Sequence, residues 1–255
     1  MKCKICNTEN DLIFSGIILK KYKVDYFRCK ECDFLQTEEP YWLEESYSQS
    51  INLSDTGYIS RNLYFSKKLT VFLNFVFSSK GAYLDYAGGY GVFVRMMRDI
   101  GFDFYWDDKY TQNLFSNGFE WDGIKKIDAV TSFEAFEHFV NPILEIEKLI
   151  NISDTIIFST ELYPKSMPNP EEWWYFGLEH GQHISFFSEK TFDYISKKFS
   201  VNYYRSGSLH FLTKRKIPQW VLFSLKFTRL GLHDLISIKL NSKTWEDHLI
   251  MKEYP

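Results

Sequence analysis

The sequence predicts an α/β protein with a mostly parallel sheet, preceded by a small metal-bound module. Three observations carry that expectation. A buried strand enters a glycine-rich turn and then a helix between Gly81 and Arg98, strand-like and helix-like segments continue to alternate after it, and all four cysteines form two C-x-x-C pairs near the start of the chain. Alternation argues for parallel pairing, because a crossover must return the chain to the same end of the sheet before the next strand begins.

The bulk composition allows this. A chain of 255 residues suffices for one large domain, or for a medium domain with an appendage. Its hydrophobic content of 45% and charged content of 25% are ordinary for a globular protein. A net charge of -3 creates no overall basic field, so DNA is not an expected partner. No stretch reaches the roughly 20 apolar residues that a transmembrane helix requires. Residues Met1 to Cys6 lack the apolar core of a signal peptide, and the expected setting is the cytoplasm. Aromatic content of 19% is high. It fits a surface that stacks on sugars or bases, or a bias toward Phe, Tyr, Ile, Lys and Asn throughout.

Residues 1–40 read as a zinc module. Two residues between the thiolates of Cys3 and Cys6, and again between Cys29 and Cys32, let each pair place both sulfurs on one ion. Two such knuckles complete a tetrahedral all-sulfur site, which suits zinc. The site has no open position, so its expected role is structural, supplying what so small an apolar core cannot. Tyr22 to Cys29 is strand-like, as in a zinc ribbon. Disulfides, the competing use of these cysteines, are disfavoured in a reducing compartment.

From Gly81 the chain reads as strand, turn and helix: Leu84 and its neighbours enter Asp85-Tyr86-Ala87-Gly88-Gly89-Tyr90-Gly91, and Val92 to Arg98 carries apolar residues at helical spacing. Small residues allow close approach of a ligand, and the helix start offers unpaired N–H groups. A second strand, Gly101 to Trp106, leads to Asp107 and Asp108. An acid about 20 residues beyond the turn is where a ribose diol would be held. The two adjacent acids leave the register open.

The D-x-A-G-G-x-G turn at Asp85 to Gly91, with Asp108 after the second strand, resembles the first two motifs of class I S-adenosylmethionine-dependent methyltransferases. Ile127 to Pro142, with its Glu134-x-x-Glu137-His138 stretch, looks like the family's fourth strand and acidic turn, and Asp154 to Glu161 like its fifth strand. His180 to Ser188, before a helix starting near Ser188, is similar to the family's H-x-x-x-F-S stretch. Val201 to Tyr204 and Ser208 to Lys214 look like its closing antiparallel hairpin. The resemblance spans about residues 41–215 and implies a Rossmann-like sheet with helices on both faces.

It also implies roles. Asp85 and the backbone of Tyr86, Ala87, Gly88, Gly89 and Gly91 would face the amino-acid end of the cofactor, Asp108 its ribose, and Phe133 and Glu134 its methionine portion. Ala87 stands where the family usually has its first glycine, and it fits if its φ is negative. Methyl transfer to a hydroxyl or carbon needs a base, and His183, with His138 and His180 as alternatives, is the expected one. Each histidine also admits a purely structural role.

The remaining segments frame this domain of residues 81–215. Residues 41–80 read as a linker and cofactor-covering segment, with an amphipathic helix from Asn62 to Phe77. Tyr47, Asp55, Gly57, Tyr58 and Arg61 lie ahead of it, and Arg61 is placed either on the cofactor carboxylate or in an ordinary ion pair. Pro164, Pro168, Pro170, Trp173, Trp174 and Tyr175 suggest an acceptor lid or core cover. The tail, 216–255, reads as helical, closing the acceptor cleft or else lying on a membrane or partner.

The expected activity is methylation of a small molecule or sugar, since similar cysteine modules accompany sugar methyltransferases, with surface-polysaccharide synthesis as the setting. The alternatives are a zinc-ribbon RNA-binding protein that methylates RNA, and a cofactor-binding protein without catalysis. Oligomeric state is not legible.

Overall fold

The computed structural model describes residues 1–47, 55–77, 80–164, 166 and 170–253. Its centre is a six-stranded sheet in the order β5-β4-β6-β7-β10-β9. The strands are β4 (Ala82–Tyr86), β5 (Asp103–Asp107), β6 (Ala129–Phe133), β7 (Thr155–Ser159), β9 (Asn202–Ser206) and β10 (Leu209–Thr213). The pairs β4–β5, β4–β6 and β6–β7 are parallel, while β10 runs antiparallel to both β7 and β9. The architecture is therefore mixed α/β and Rossmann-like, closed by the expected hairpin.

The period of two along a strand sorts the core into two faces. Leu84, Val130, Ile156, Phe158 and Leu212 point to one face, under α4 (Pro142–Ile152) and α5 (Glu189–Phe199). Tyr83, Phe104, Ala129, Ile157 and Phe211 point to the other, under α2 (Tyr58–Val76) and α3 (Val92–Ile100). Helix α5 starts where the sequence indicates: the Ser188 hydroxyl accepts the Thr191 N–H, and the Thr191 hydroxyl accepts the Ser188 N–H.

A second, four-stranded antiparallel sheet holds β1 (Asn10–Ile18), β2 (Tyr22–Cys29), β3 (Leu35–Thr37) and β8 (Ser185–Phe186), in that order. Its last strand comes from the methyltransferase-like region, so the N-terminal module completes its sheet with a distant piece of chain. Trp42, just before α1 (Leu43–Ser46), reinforces this: its indole N–H donates to Gly181 O at 2.8 Å. The Gln182 side-chain amide donates to Ser46 O, also at 2.8 Å.

Two expectations are corrected. The run of alternating strands and helices breaks between β5 and β6, where residues 108–128 form neither, apart from one bridge of Trp106 to Glu120. Gly118 and Gly123 take positive φ there, and no apolar stripe of helical period exists to pack. The tail does not close a cleft over the carboxyl ends of the strands. Its α6 (Gln219–Ser224), α7 (Leu232–Ser237) and α8 (Thr244–Lys252) extend the α2/α3 face through Ile217, Val221, Leu222, Leu225 and Ile236. Asp247 anchors α8 by accepting from Arg98 Nε at 2.8 Å and Nη2 at 2.6 Å, with both partners buried. A buried carboxylate needs such a bidentate partner to offset its desolvation. Among the described residues no helix is long and apolar enough to cross a membrane.

Candidate active site

Parallel strands deliver their carboxyl ends to one edge of the sheet, and the loops leaving those ends carry the candidate residues. The turn after β4 comes first. Asp85 is 3% exposed and accepts from the Thr131 hydroxyl on β6 at 2.6 Å. Burial pushes its carboxyl up to about 7, with a smaller push from Asp108. It is an acid without a described cation beside it. Gly88 lies so close that a Cβ there would stand 2.9 Å from both Asp85 Oδ2 and Trp106. Gly91, at φ +81°, has no room for a side chain, since Ser116 Oγ and Asn113 Oδ1 occupy that space.

Ala87 departs from the expected geometry. Its φ is +57°, in the left-handed region, and not negative. The turn needs a reversal at this point whatever residue occupies it, so the alanine carries a strain of about 1–2 kcal/mol that glycine would avoid.

Asp108 lies just past the end of β5 and ties two loops together. One carboxylate oxygen accepts the Gly89 N–H at 2.9 Å, and the other accepts the N–H groups of Tyr110 and Thr111 at 2.7 and 2.9 Å. A carboxylate has about four acceptor positions, so one remains for a further hydroxyl. Neighbouring Asp107 falls on the opposite side of the strand, its carboxyl raised by burial. Tyr58, at the start of α2, lies over Gly89, and burial pushes its hydroxyl up to about 12.

At the end of β6, Phe133 stacks on Phe65 of α2 with ring centres 4.3 Å apart. Glu134 has φ +50° and turns back onto β7: its N–H donates to the Ser159 hydroxyl, which in turn donates to Glu134 Oε1 at 2.5 Å. Arg61 is in the ordinary ion pair, bidentate to Asp55 at 2.7 and 2.8 Å.

The three candidate bases form one cluster. The His138 and His183 ring centres are 4.9 Å apart, and those of His180 and His183 are 4.8 Å apart. Burial and mutual repulsion lower His138 to about 4, put His183 well below its ordinary value, and lower His180 through burial alone, so all three are neutral near pH 7. Their partners fix the tautomers. His183 Nδ1 lies 2.6 Å from Tyr175 O, and His138 Nδ1 lies 3.1 Å from Gln182 O. A carbonyl only accepts, so His183 carries its proton on Nδ1 and keeps a lone pair on Nε2. His138 does the same where the Tyr47 hydroxyl, 3.0 Å from its Nδ1, accepts and does not donate. His180 is the reverse: its Nδ1 accepts the Gln182 N–H at 3.1 Å, which leaves the proton on Nε2. It donates where a base must accept.

Tyr47 joins the two halves of the site. Its hydroxyl is 3.0 Å from His138 Nδ1, and its ring stacks on Tyr110, next to Asp108. Of the suggested lid residues, Tyr175 is core, with its hydroxyl accepting the Glu161 N–H at 3.0 Å, and Trp173 packs on Phe176. Trp174 is 74% exposed. Pro168 lies outside the described residues. A groove of about 600 Å³ between α4 and residues 121–126 opens toward the amino-terminal end of the sheet, away from this cluster.

The four cysteine sulfurs converge in the N-terminal sheet, each within 4.8 Å of the others, with no disulfide among them. The two knuckles repeat one geometry. In each, the residue four positions after the first cysteine, Asn7 or Asp33, has φ near +60° and donates its N–H to that cysteine's carbonyl. Cys3 is lowered to about 5 by the thiol of Cys32, while Cys32 is pushed strongly upward by the same contact. The donor set and spacing suit a tetrahedral thiolate ion, whose sulfurs lie about 3.8 Å apart for zinc.

Residues 59–200 match the family model of a methyltransferase domain. The chain belongs to this methyltransferase family. With its sheet order and glycine turn, it is a class I S-adenosylmethionine-dependent methyltransferase. Comparison with curated protein sequences gives no significant match. Among solved structures, the plantazolicin methyltransferase BpumL with S-adenosylhomocysteine is 14% identical at a TM-score of 0.48, the match covering 76% of this chain and 90% of that one. CalO1, a methyltransferase of calicheamicin biosynthesis, is 11% identical at a TM-score of 0.42, over 59% of this chain and 54% of that one. Human N-acetylserotonin methyltransferase is 11% identical at 0.43, over 70% and 63% respectively. The chain thus spans less than two thirds of the latter two enzymes.

Several residues of the candidate site went unnoticed in the sequence. Thr131, Ser159, Tyr110, Asn113 and Ser116 act through contacts between distant strands and loops, which no local pattern announces. Glu137 was visible inside the E-x-x-E-H stretch.

Proposed function

We propose that this methyltransferase holds S-adenosylmethionine against the turn from Asp85 to Gly91 and methylates a hydroxyl of a small molecule, a sugar in particular. The carrying observation is Asp85: a buried acid, raised to about 7 for want of a cation, is suited to the ammonium of the cofactor's amino-acid end. The remaining acceptor position of Asp108 is offered to a ribose hydroxyl. The backbone of Tyr86, Ala87, Gly88, Gly89 and Gly91 leaves the close approach such a ligand needs. Phe133 and Glu134 floor the methionine side.

The bound cofactor supplies an activated methyl on a positively charged sulfur. The chain's task is to orient the acceptor in line with that methyl and to take its proton. His183, with His138 as the alternative, receives the proton on the Nε2 lone pair that its carbonyl partner leaves free, and His180 gives a hydrogen bond. Four thiolates, Cys3, Cys6, Cys29 and Cys32, hold a structural zinc. On this reading residues 1–40 are a zinc module that, with 41–80, braces the histidine loop of the catalytic domain, 81–215, while 216–255 buttresses its far face. The sugar assignment rests on the resemblance of the cysteine module and on the exposed face of Trp174.

Calorimetric titration with S-adenosylhomocysteine tests this. Micromolar binding is expected, weakened about 10- to 100-fold in Asp108→Ala, as for loss of a charged hydrogen bond. A wild-type protein that gives no heat refutes the reading.

A further inference from the structure

Glu137 lies at the acceptor end of the site and takes no part in the proposed chemistry. It follows the strand end that carries Glu134, is 0% exposed, and has no hydrogen-bond partner on either carboxylate oxygen among the described residues. The hydroxyls of Tyr175 and Thr160 approach it without completing a bond. A buried polar group normally finds a partner, and an ionised one costs several kcal/mol without it. Arg61, whose charge Glu137 feels, is bound by both oxygens of Asp55.

The groups around Glu137 can supply what it lacks. One carboxylate oxygen of Glu137 and one ring nitrogen each of His138 and His183 lie within 4.8 Å of one another. Both imidazoles set Nδ1 against a backbone carbonyl, Gln182 O at 3.1 Å and Tyr175 O at 2.6 Å. That is the support metal-bound histidines usually receive, because it fixes the tautomer and aims the other nitrogen. Bonds of about 2.0–2.2 Å to a divalent ion would draw such donors to roughly 3–3.5 Å apart.

We infer that Glu137 and the Nε2 atoms of His138 and His183 form a second metal site, distinct from the four cysteines, for a first-row divalent cation. Two imidazoles and one carboxylate leave coordination positions open, which suits an ion that binds a ligand oxygen. The inference rests on the reading of this cluster as the acceptor end of the site. Ligation would occupy both Nε2 lone pairs, so an ion-bound cluster and the imidazole base proposed above would be alternative states of the same three residues, the ion supplying Lewis acidity when bound. Glu134 is not a ligand, since Ser159 holds it.

The test is a cobalt(II) titration of the full chain with its cysteine site already filled with zinc. One further equivalent is expected, with the weak visible bands of nitrogen and oxygen ligation and no thiolate-to-cobalt charge transfer. Affinity should fall at least ~10-fold in Glu137→Gln, which keeps the shape of the side chain, and in His183→Gln. Retained S-adenosylhomocysteine binding by each variant shows that it is folded; should His183→Gln fail this control, His138→Gln replaces it. Absence of the further equivalent, its appearance with a thiolate charge-transfer band, or its persistence within twofold in Glu137→Gln overturns the proposal. The cofactor titration on the same preparation separates the two readings, because a protein that takes cobalt without binding S-adenosylhomocysteine sinks the methyl-transfer site and leaves the metal site standing.

Discussion

The two faces of the central sheet are built from the same strands by different means. The α2/α3 face is mainly apolar, from Tyr83, Phe104 and Phe211 out to the tail residues Val221 and Leu225, with the Arg98–Asp247 pair buried among them. The α4/α5 face continues instead into the cysteine knuckles: Cys3, Cys29, Cys32 and Phe34 pack in one cluster with Leu84, Val130, Phe136 and Phe187. Burial at about 25 cal/mol per Å² accounts for the first face. On the zinc reading proposed above, the second needs its sulfurs held in place, and its order would depend on an ion as well as on burial. The histidine loop hangs from that second face, because β8 follows it directly and pairs with β3.

Stripping the proposed zinc is therefore the most severe test of the contrast. Structural zinc sites contribute on the order of 10 kcal/mol. After chelation, hydrogen exchange should accelerate in β1, β2, β3, β8 and residues 177–186, while α2 and α3 stay protected. Loss of protection to the same extent on both faces would break the comparison.

A smaller effect is expected where the two faces meet, at Asp85. Its carboxyl is raised to about 7, so the folded protein keeps a proton that the unfolded chain, with an ordinary acid near 4, has already released. This contribution is fully present below about pH 4 and is lost as pH rises through 7. Denaturant titrations of the ligand-free protein at pH 5 and 7.5 should differ by roughly 2–3 kcal/mol on its account, and Asp85→Asn should remove that difference. Glu137, raised to about 8 by burial, adds a slope of the same sign that the variant retains. Equal pH dependence in wild type and variant would show that Asp85 has its cation from elsewhere.

The mildest change sharpens the account of the turn. Ala87→Gly relieves a left-handed alanine but enlarges the freedom of the unfolded chain, for a net gain of about 0.5–1 kcal/mol. In a chain of this size that is a melting-temperature rise of roughly 1–4 °C. A fall would mean that the methyl group of Ala87, which packs against the α4/α5 cluster, is worth more than its strain.

These contrasts also mark what the sequence could tell. Strands and helices with their own period were legible: Leu84 before the glycine turn, Ser188 before α5, and the paired cysteines each declare themselves within a few residues. Roles that depend on distant partners were not. Ala87 was expected at negative φ because its identity suggested it, while the turn imposes the opposite sign. His183 was placed ahead of His138 and His180 as the base, but only the contacts to Tyr175 O, Gln182 O and the Gln182 N–H give that order a physical ground. Residues 108–128 lacked any period, and that absence was the signal that the alternation stops there.

The borrowed strand also orders events during synthesis. The bond from Trp42 to Gly181 O spans 139 residues, and the edge of β3 finds β8 only at Phe186. Contacts this distant form slowly, since a long loop must close before they yield any stabilisation. The first forty residues leave the ribosome early, yet their sheet keeps an unpaired edge until most of the polypeptide has followed. During that interval an exposed edge strand invites pairing with another chain, and early capture of the ion by the cysteines would leave that edge open while fixing everything beside it.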